Sequence, residues 1–437
     1  MVQHIFVVGL DDIHLSQLRS LPHAGEYVFH PLFTHAEIKQ QESFPVARLL
    51  REGPGILRRF SEPVAALIGY WDFPVSTLLP ILRQPMGLPG PTLESVLRCE
   101  HKYWSRLMQA EVVAEHLPDF CAVDPFADNT LEHITLGFPF WLKPVKSVLS
   151  HLGFRIENET DFQAVIEHIR AHIGRYAEPF NLILEYAELP GDVAAIDGYH
   201  CIAEAIISAG AQVTQEGYAF DGTVEVYGTI DSLRCGPMNT SFDRYQYPST
   251  LPRAVLERMT AITRRVILHL GYDNAPFNIE YFWDEATDRI WLLEINTRIS
   301  KSHAPLFQMV DGTYHHQVMV DLGLGREPEF IAGQGRGECA LAAKFMVRQF
   351  RDALVTRVPT AQDIAAAEAA VPHSQIQVAV RDGMWLSELR DQDSYSYEVA
   401  TIFIGAGSRV ELESKYRECL ARLPLRFEQQ GPEKEMT

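Results

Sequence analysis

The stretch Phe277-Asn278-Ile279-Glu280-Tyr281-Phe282-Trp283, followed after a polar turn by Ile290-Trp291-Leu292-Leu293-Glu294-Ile295-Asn296-Thr297-Arg298, decides how this chain is read. Both runs are apolar and aromatic, and both carry a carboxylate within them. They read as two strands joined by the turn Asp284-Glu285-Ala286-Thr287-Asp288-Arg289. Side chains alternate along a strand, so Glu294 and Asn296 share one face, and Trp291, Leu293 and Ile295 are expected on the other, in a core. Folding about the turn brings Glu280 close to Glu294. Two ionised acids and an amide in an apolar setting are costly by themselves. Oxygen ligands around a hard divalent ion that also touches nucleotide phosphates would resolve that cost. A solvated edge hairpin whose glutamates face water is the other reading, and it leaves Asn296 and Arg298 without a role.

Glu294-Ile295-Asn296-Thr297-Arg298 resembles the metal-binding signature of the ATP-grasp superfamily, and Asn278-Ile279-Glu280 resembles its upstream metal-ligand strand. The resemblance implies ATP and Mg2+ as cofactors, with Mn2+ as the alternative ion. It also implies that Glu280, Glu294 and Asn296 hold the metal and that the catalytic Arg298 contacts a reacting acyl phosphate. Lys102, in the helix-compatible run Arg98 to Met108, is similar to the family's first nucleotide-contacting lysine. Lys143 interrupts the apolar run Phe138 to Leu142 directly before Pro144, and a buried lysine needs an anion. The resemblance supplies a nucleotide phosphate, with Lys146 close by; an internal carboxylate such as Glu185 is the other candidate. Ser147 to Phe154 takes the place of the mobile phosphate cover, with one glycine where many relatives have several, so Ser150 is a candidate phosphate donor. Asn181 to Asp192 resembles the strand linking the two lobes, which places Glu185, Tyr186, Ala187 and Glu188 at the adenine and ribose. Val193 to Gly198 is expected to continue as strand, and Phe242 to Ser249 as a loop before a helix from Leu251 to Leu270 ended by Gly271.

Composition bounds this reading. The 437 residues, 46% hydrophobic, can fill two or three cores. A formal charge of −19 argues against a nucleic-acid or anionic-membrane surface, so a polyanion must meet a local cluster of Lys and Arg. Cys99, Cys121, Cys201, Cys235, Cys339 and Cys419 form no CxxC pair, which points to a reducing cytoplasm rather than a disulfide framework or zinc site. The start, Met1 to Gly9, has no basic leader, and no later run is long enough to span a membrane. Gly9-Leu10-Asp11-Asp12 lacks the further glycines of a dinucleotide fingerprint.

The expected fold is α/β and α+β in three domains. Residues 1–98 form an open α/β domain with strands at Ile5 to Val8 and Ala65 to Tyr70, and 99–325 a two-lobed ATP-grasp centre with its small lobe at about 130–187. Residues 326–437 resemble the lid-like C-terminal domain of biotin carboxylase, with strands at Ala340 to Arg348, Ile376 to Val380 and Val399 to Ile404, a helix from Val410 to Leu423, and an acidic tail frayed after Phe427. The implied activity is an ATP-dependent carboxylate–amine ligase working through an acyl phosphate on amino-acid or small carboxylic-acid substrates. Carboxylation of the biotin carboxylase type and non-catalytic nucleotide binding are the alternatives. Biotin carboxylases follow Asn-x-Arg with a run containing Gln, Val and Glu; here Ile299-Ser300-Lys301-Ser302-His303 stands instead, which puts Lys301, Ser302 or His303 near the substrate carboxylate. Tyr199, His200, Arg234, Asn239 and Ser241 are further pocket candidates. Partners are small molecules, and a homodimer is the assembly common among related enzymes.

Overall fold

β1 (Gln3–Leu10), β2 (Tyr27–Thr34) and β3 (Val64–Ile68) form a parallel sheet in the order β2-β1-β3. Ile5 to Leu10 are all buried, as expected of a parallel strand covered on both faces. The helix Asp12–Arg19 starts where the Asp11 side chain accepts from the His14 amide, an N-cap that Asp supplies well. A computed structural model describes the chain apart from residues 1, 40, 42, 149–150, 208, 237–240, 331–334, 390–391, 394 and 434–437.

β4 (Phe120–Val123), β5 (Phe140–Pro144), β6 (Phe154–Ile156) and β7 (Cys201–Ala205) make an antiparallel sheet in the order β4-β7-β5-β6. That sheet is wider in sequence, on both sides, than the lobe expected at about 130–187. The segment read as a linker strand is helical instead: Gly174–Leu184 is one helix, and Gly191–Ala194 is a short second one where strand was expected to continue. The reason is periodicity. Tyr176, Phe180, Ile183 and Leu184 recur at helical spacing and bury one face against the N-terminal core beside Phe73 and Trp104, which outweighs the β-like run Leu182-Ile183-Leu184.

The largest sheet is built from β8 (Ala211–Phe220), β9 (Thr223–Cys235), β10 (Ser241–Tyr247), β11 (Ala275–Asp284), β12 (Arg289–Asn296), β13 (Leu341–Gln349), β15 (Ser374–Val378) and β16 (Tyr397–Ala406), in the order β12-β11-β8-β9-β10-β13-β16-β15. Because β10 pairs with β13, the sheet runs from the central region into the C-terminal one without a break in hydrogen bonding. The expected loop at 242–249 is this strand β10 over most of its length, its edges satisfied on both sides by β9 and β13. The helix after it, Arg253–His269, ends before Gly271, whose φ of 64° suits glycine. In the C-terminal region the three expected strands and the helix Arg409–Arg422 are present, but the tail is not frayed at Phe427: β17 (Arg426–Glu433) pairs with β14 (Arg351–Arg357). No helix among the described residues is long and apolar enough to cross a membrane.

Candidate active site

β11 and β12 pair antiparallel with Asn278 opposite Asn296 and Glu280 opposite Glu294, which brings the two glutamates together as the sequence implied. One feature of the pairing overturns the expected core face. Tyr281 is opposite Leu292, so Leu293 is an inserted residue, and this bulge inverts the alternation between the two halves of β12. Ile290, Leu292 and Ile295 enter the core with Phe277, Ile279, Tyr281 and Trp283. Trp291 and Leu293 do not; Trp291 stays half-buried with the Arg289 guanidinium 3.8 Å from its ring centre. The bulge keeps Glu294 and Asn296 on the face of Glu280, and it is pinned from outside: Arg106 donates to the carbonyls of Leu292 (3.1 Å) and Leu293 (2.7 Å).

On that face the carboxylates lack an adequate cation. Glu280 accepts from Gln212 Nε2 (2.9 Å), and Gln212 accepts from Arg234 Nε (2.7 Å). Burial first, and the Glu294 charge second, push the Glu280 carboxyl up to about 7. The cation nearest Glu294 is Lys102 Nζ, 3.9 Å away. Asn296 Nδ2 donates to Asn278 Oδ1 (2.9 Å), directing its amide oxygen away from that bond. β12 is the sheet edge and the Glu294 side chain is 37% exposed, as in a solvated hairpin, but the desolvation of Glu280 is not what such a hairpin would show. No group of three or more His, Cys, Asp or Glu side chains is arranged for a metal among the described residues. The hairpin offers two carboxylates and one amide, a donor set suited to a hard cation that takes its other ligands from phosphate and water.

Lys102 donates to the Ser147 carbonyl (3.0 Å) at the start of the expected phosphate cover; burial first, only partly offset by Glu294, lowers it to about 8. Lys143 forms an ion pair, but with Glu204 Oε2 at 2.5 Å and not with Glu185. Glu204 also takes Arg106 Nε at 2.6 Å, and although burial opposes ionisation, Arg106 and Lys143 hold it down at about 2. Lys146 is buried against Glu100, which also binds Thr297 Oγ1 and Ser76 Oγ (3.0 Å), so its charge is already matched inside the protein. Ser150 lies outside the described residues, as does Asn239.

Glu185 to Glu188 fall at the end of the helix Gly174–Leu184. Tyr186 is 56% exposed, and the Glu188 amide donates to Glu94 at 3.3 Å. The strand that leaves the small lobe toward the large sheet is β7, and it carries the Lys143 partner Glu204. Sequence reasoning missed Glu204, although Cys201-Ile202-Ala203-Glu204-Ala205 shows the same signal as Lys143, a charge inside an apolar strand.

Arg298 is held by the N-terminal domain. Its Nε and Nη2 lie 2.7 and 2.6 Å from Asp72 Oδ1, in the segment that follows β3. Burial opposes the Asp72 charge, but Arg298, Lys39 and Lys146 keep it below the usual carboxylate range. The loop beyond Arg298 is anchored by Glu216, which is fully buried, binds His303 Nδ1 at 2.8 Å and accepts from the Ser300 amide at 3.2 Å. His315 Nε2 reaches the Ser300 carbonyl at 3.0 Å. His303 is therefore buried behind the loop, whereas Lys301 and Ser302 keep partial exposure. Among the other pocket candidates, Arg234 faces Glu280 through Gln212. Tyr199 and His200 instead bind Glu178 and Asp197, and Ser241 binds Asp393 at 3.2 Å.

Residues 247–329, which contain Glu280, Glu294, Asn296 and Arg298, match the family model of the carbamoyl-phosphate synthase L chain, ATP binding domain. No curated protein matches the chain in sequence. Among solved structures, L-amino acid ligase from Bacillus licheniformis is similar at a TM-score of 0.72 and 16% identity, covering 98% of this chain and 99% of that one. Biotin carboxylase from Campylobacter jejuni, solved as a β-γ-ATP complex, is similar at 0.65 and 13%, covering 98% and 92%. Carboxyaminoimidazole ribonucleotide synthase from Aspergillus clavatus, complexed with ATP, is similar at 0.61 and 12%, covering 96% and 98%. The chain has the ATP-grasp fold shared by these structures.

Proposed function

We propose that this ATP-grasp protein is an ATP- and magnesium-dependent carboxylate–amine ligase acting on amino acids or small carboxylic acids. The observation that carries the reading is the in-register opposition of a desolvated Glu280 and Glu294, beside Arg298 and with Lys102 no closer than 3.9 Å to Glu294. Glu280, Glu294 and the Asn296 oxygen would hold Mg2+, which when bound would neutralise charge on the transferred phosphoryl oxygens.

Lys102 and Lys143 supply cations to the ATP phosphates. Lys143 is already oriented by Glu204, so little rotamer freedom remains to be lost when phosphate arrives. A carboxylate oxygen of the donor attacks the γ-phosphorus, the bond to the bridging oxygen breaks, and ADP leaves. Arg298, fixed by Asp72, donates to the acyl phosphate and then to the oxyanion that forms when the amine nitrogen attacks the acyl carbon. The nitrogen loses a proton, the C–O bond to phosphate breaks, and an amide and inorganic phosphate remain. The adenine-reading segment is assigned to Glu204 to Ile207, at the end of β7, in place of Glu185 to Glu188. Ile299 to His303 supports amide formation over carboxylation, since the Gln, Val and Glu of the carboxylase run are replaced.

The test is ADP and phosphate release with ATP and Mg2+ against amino acids singly and in pairs, with products read by mass. Release that needs two amino acids and yields their summed mass less water establishes the ligase. Silence across amino acids and small acids, with ATP binding intact by calorimetry, rejects it.

A further inference from the structure

Lys301 is a cation whose surroundings have been assigned elsewhere. Among the described residues no carboxylate lies within ion-pair distance of it. Asp72 is taken by Arg298 at 2.6 Å, Asp11 by His14 at 2.7 Å, and Glu398 by Lys344 at 3.5 Å. Burial first, and the Lys344 charge second, lower Lys301 to about 8, and the more distant Asp72 and Asp11 offset this only in part. What the ammonium does meet is the ring of Trp71, 4.3 Å from its centre.

The platform is rigid. Trp71 Nε1 donates to the Gly9 carbonyl at 2.8 Å, and His35 stacks on the ring at 4.2 Å. Gly9 has a φ of 78°, and a Cβ there would stand 2.9 Å from Trp71 Cδ1, so glycine is needed for the indole to come this close. The glycine set aside as a dinucleotide fingerprint has this packing role. The place is also informative. In the order β2-β1-β3 the chain reverses direction across the sheet between β1 and β3, and ligands of open α/β sheets bind at the carboxyl ends of the strands at such a point. Asp11 and Trp71 follow those two strand ends.

We propose that Lys301, seated on Trp71, receives a second substrate carboxylate, distinct from the one activated beside Glu280, Glu294 and Arg298. Lys301 rests against Trp71, the neighbour in sequence of the Asp72 that holds Arg298, so it stands against the N-terminal domain beside the reacting centre. The carboxylate belongs either to the far end of the donor acid or to an amino acid serving as the amine. The inference rests on the ligase reading above and narrows its substrates to pairs that carry two carboxylates.

The experiment uses the full chain with ATP, Mg2+ and the donor acid found in the release screen, and compares wild type with Lys301→Met and Lys301→Arg. Hydroxylamine serves as an amine without a carboxylate, read as hydroxamate; the acceptor amino acid is compared with its carboxamide. Loss of a charged hydrogen bond predicts that Lys301→Met raises one KM by about 30-fold and that Lys301→Arg recovers most of it. A rise in the donor KM with hydroxylamine assigns the carboxylate to the donor. A rise only in the acceptor KM, with the preference for acid over carboxamide erased, assigns it to the acceptor. Both KM values within about 3-fold of wild type, or a fall in kcat alone with both amines, overturns the inference. A wild type that makes neither hydroxamate nor amide from any donor instead rejects the ligase reading itself.

Discussion

Two glutamates inside this chain meet opposite fates. Glu204, on β7 of the small lobe, is fully enclosed, yet Arg106 and Lys143 hold it ionised at about 2. Glu280, on β11 of the large sheet, keeps some surface but faces a second carboxylate, and desolvation with the Glu294 charge pushes it up to about 7. The residue type is the same, and the charge partner decides the outcome. Glu204 is a completed interaction, whereas the Glu280 and Glu294 pair is the one for which a bound cation is proposed. Arg106 joins the two regions, since it pairs with Glu204 and also holds the bulge carbonyls of Leu292 and Leu293.

The contrast breaks most readily through activity. Glu294→Gln deletes a ligand charge without changing size and should lower Mg2+-dependent ADP release by about 10³-fold, with the thermal midpoint unchanged or raised. Retained turnover in that variant would sink the metal assignment. Glu204→Gln should do the reverse, costing about 3–5 kcal/mol in denaturant unfolding because Arg106 and Lys143 are left without their carboxylate. An unfolding midpoint close to wild type would show that this pair contributes little.

The two acids should also bend the stability curve in opposite pH ranges. Glu280 is raised in the folded state, so between about 4.5 and 7 the native protein keeps a proton that the unfolded chain has released. Its contribution is full below that range and is lost as the pH rises through about 7, by on the order of 3 kcal/mol. Glu204 is depressed, so its contribution is present above about 4.5 and is lost as the pH falls toward 2. Metal-free unfolding of wild type against Glu280→Gln should diverge toward neutral pH. Parallel curves would remove the claim that Glu280 is strained by its neighbours. The smallest effect is expected at Tyr186→Ala and Glu188→Ala, where the segment ends a helix away from β7. ATP affinity by calorimetry should stay within about 3-fold of wild type, and a larger loss would return the adenine segment to 185–188.

Much of the site was legible because its signal is local. A charge inside an apolar run is visible wherever it stands, and Glu280, Glu294 and Lys143 were found that way. The same reasoning located the strands at Ile5, Phe140 and Val399, where apolar content is concentrated. Leu293 was misplaced because alternation shows which residues could share a face but not where a partner strand skips one. Asn181 to Leu184, the end of the helix Gly174–Leu184, was read as the start of a strand because three apolar residues in a row suit either form, and the buried face against Phe73 and Trp104 made the choice.

The amino-acid sequence by itself determined the hairpin, the nearness of Glu280 to Glu294 and the shared face of Glu294 and Asn296, because strand alternation and a short polar turn act over a few residues, whereas the bulge at Leu293 was settled by the pairing. Only the tertiary structure decided the partners: Glu204 for Lys143, Asp72 for Arg298, Glu100 for Lys146, and Trp71 without a carboxylate for Lys301. Those pairs join residues 46 to 230 positions apart, and a charge reads its neighbours through space across a desolvated gap of a few ångströms, a distance that position along the chain does not encode.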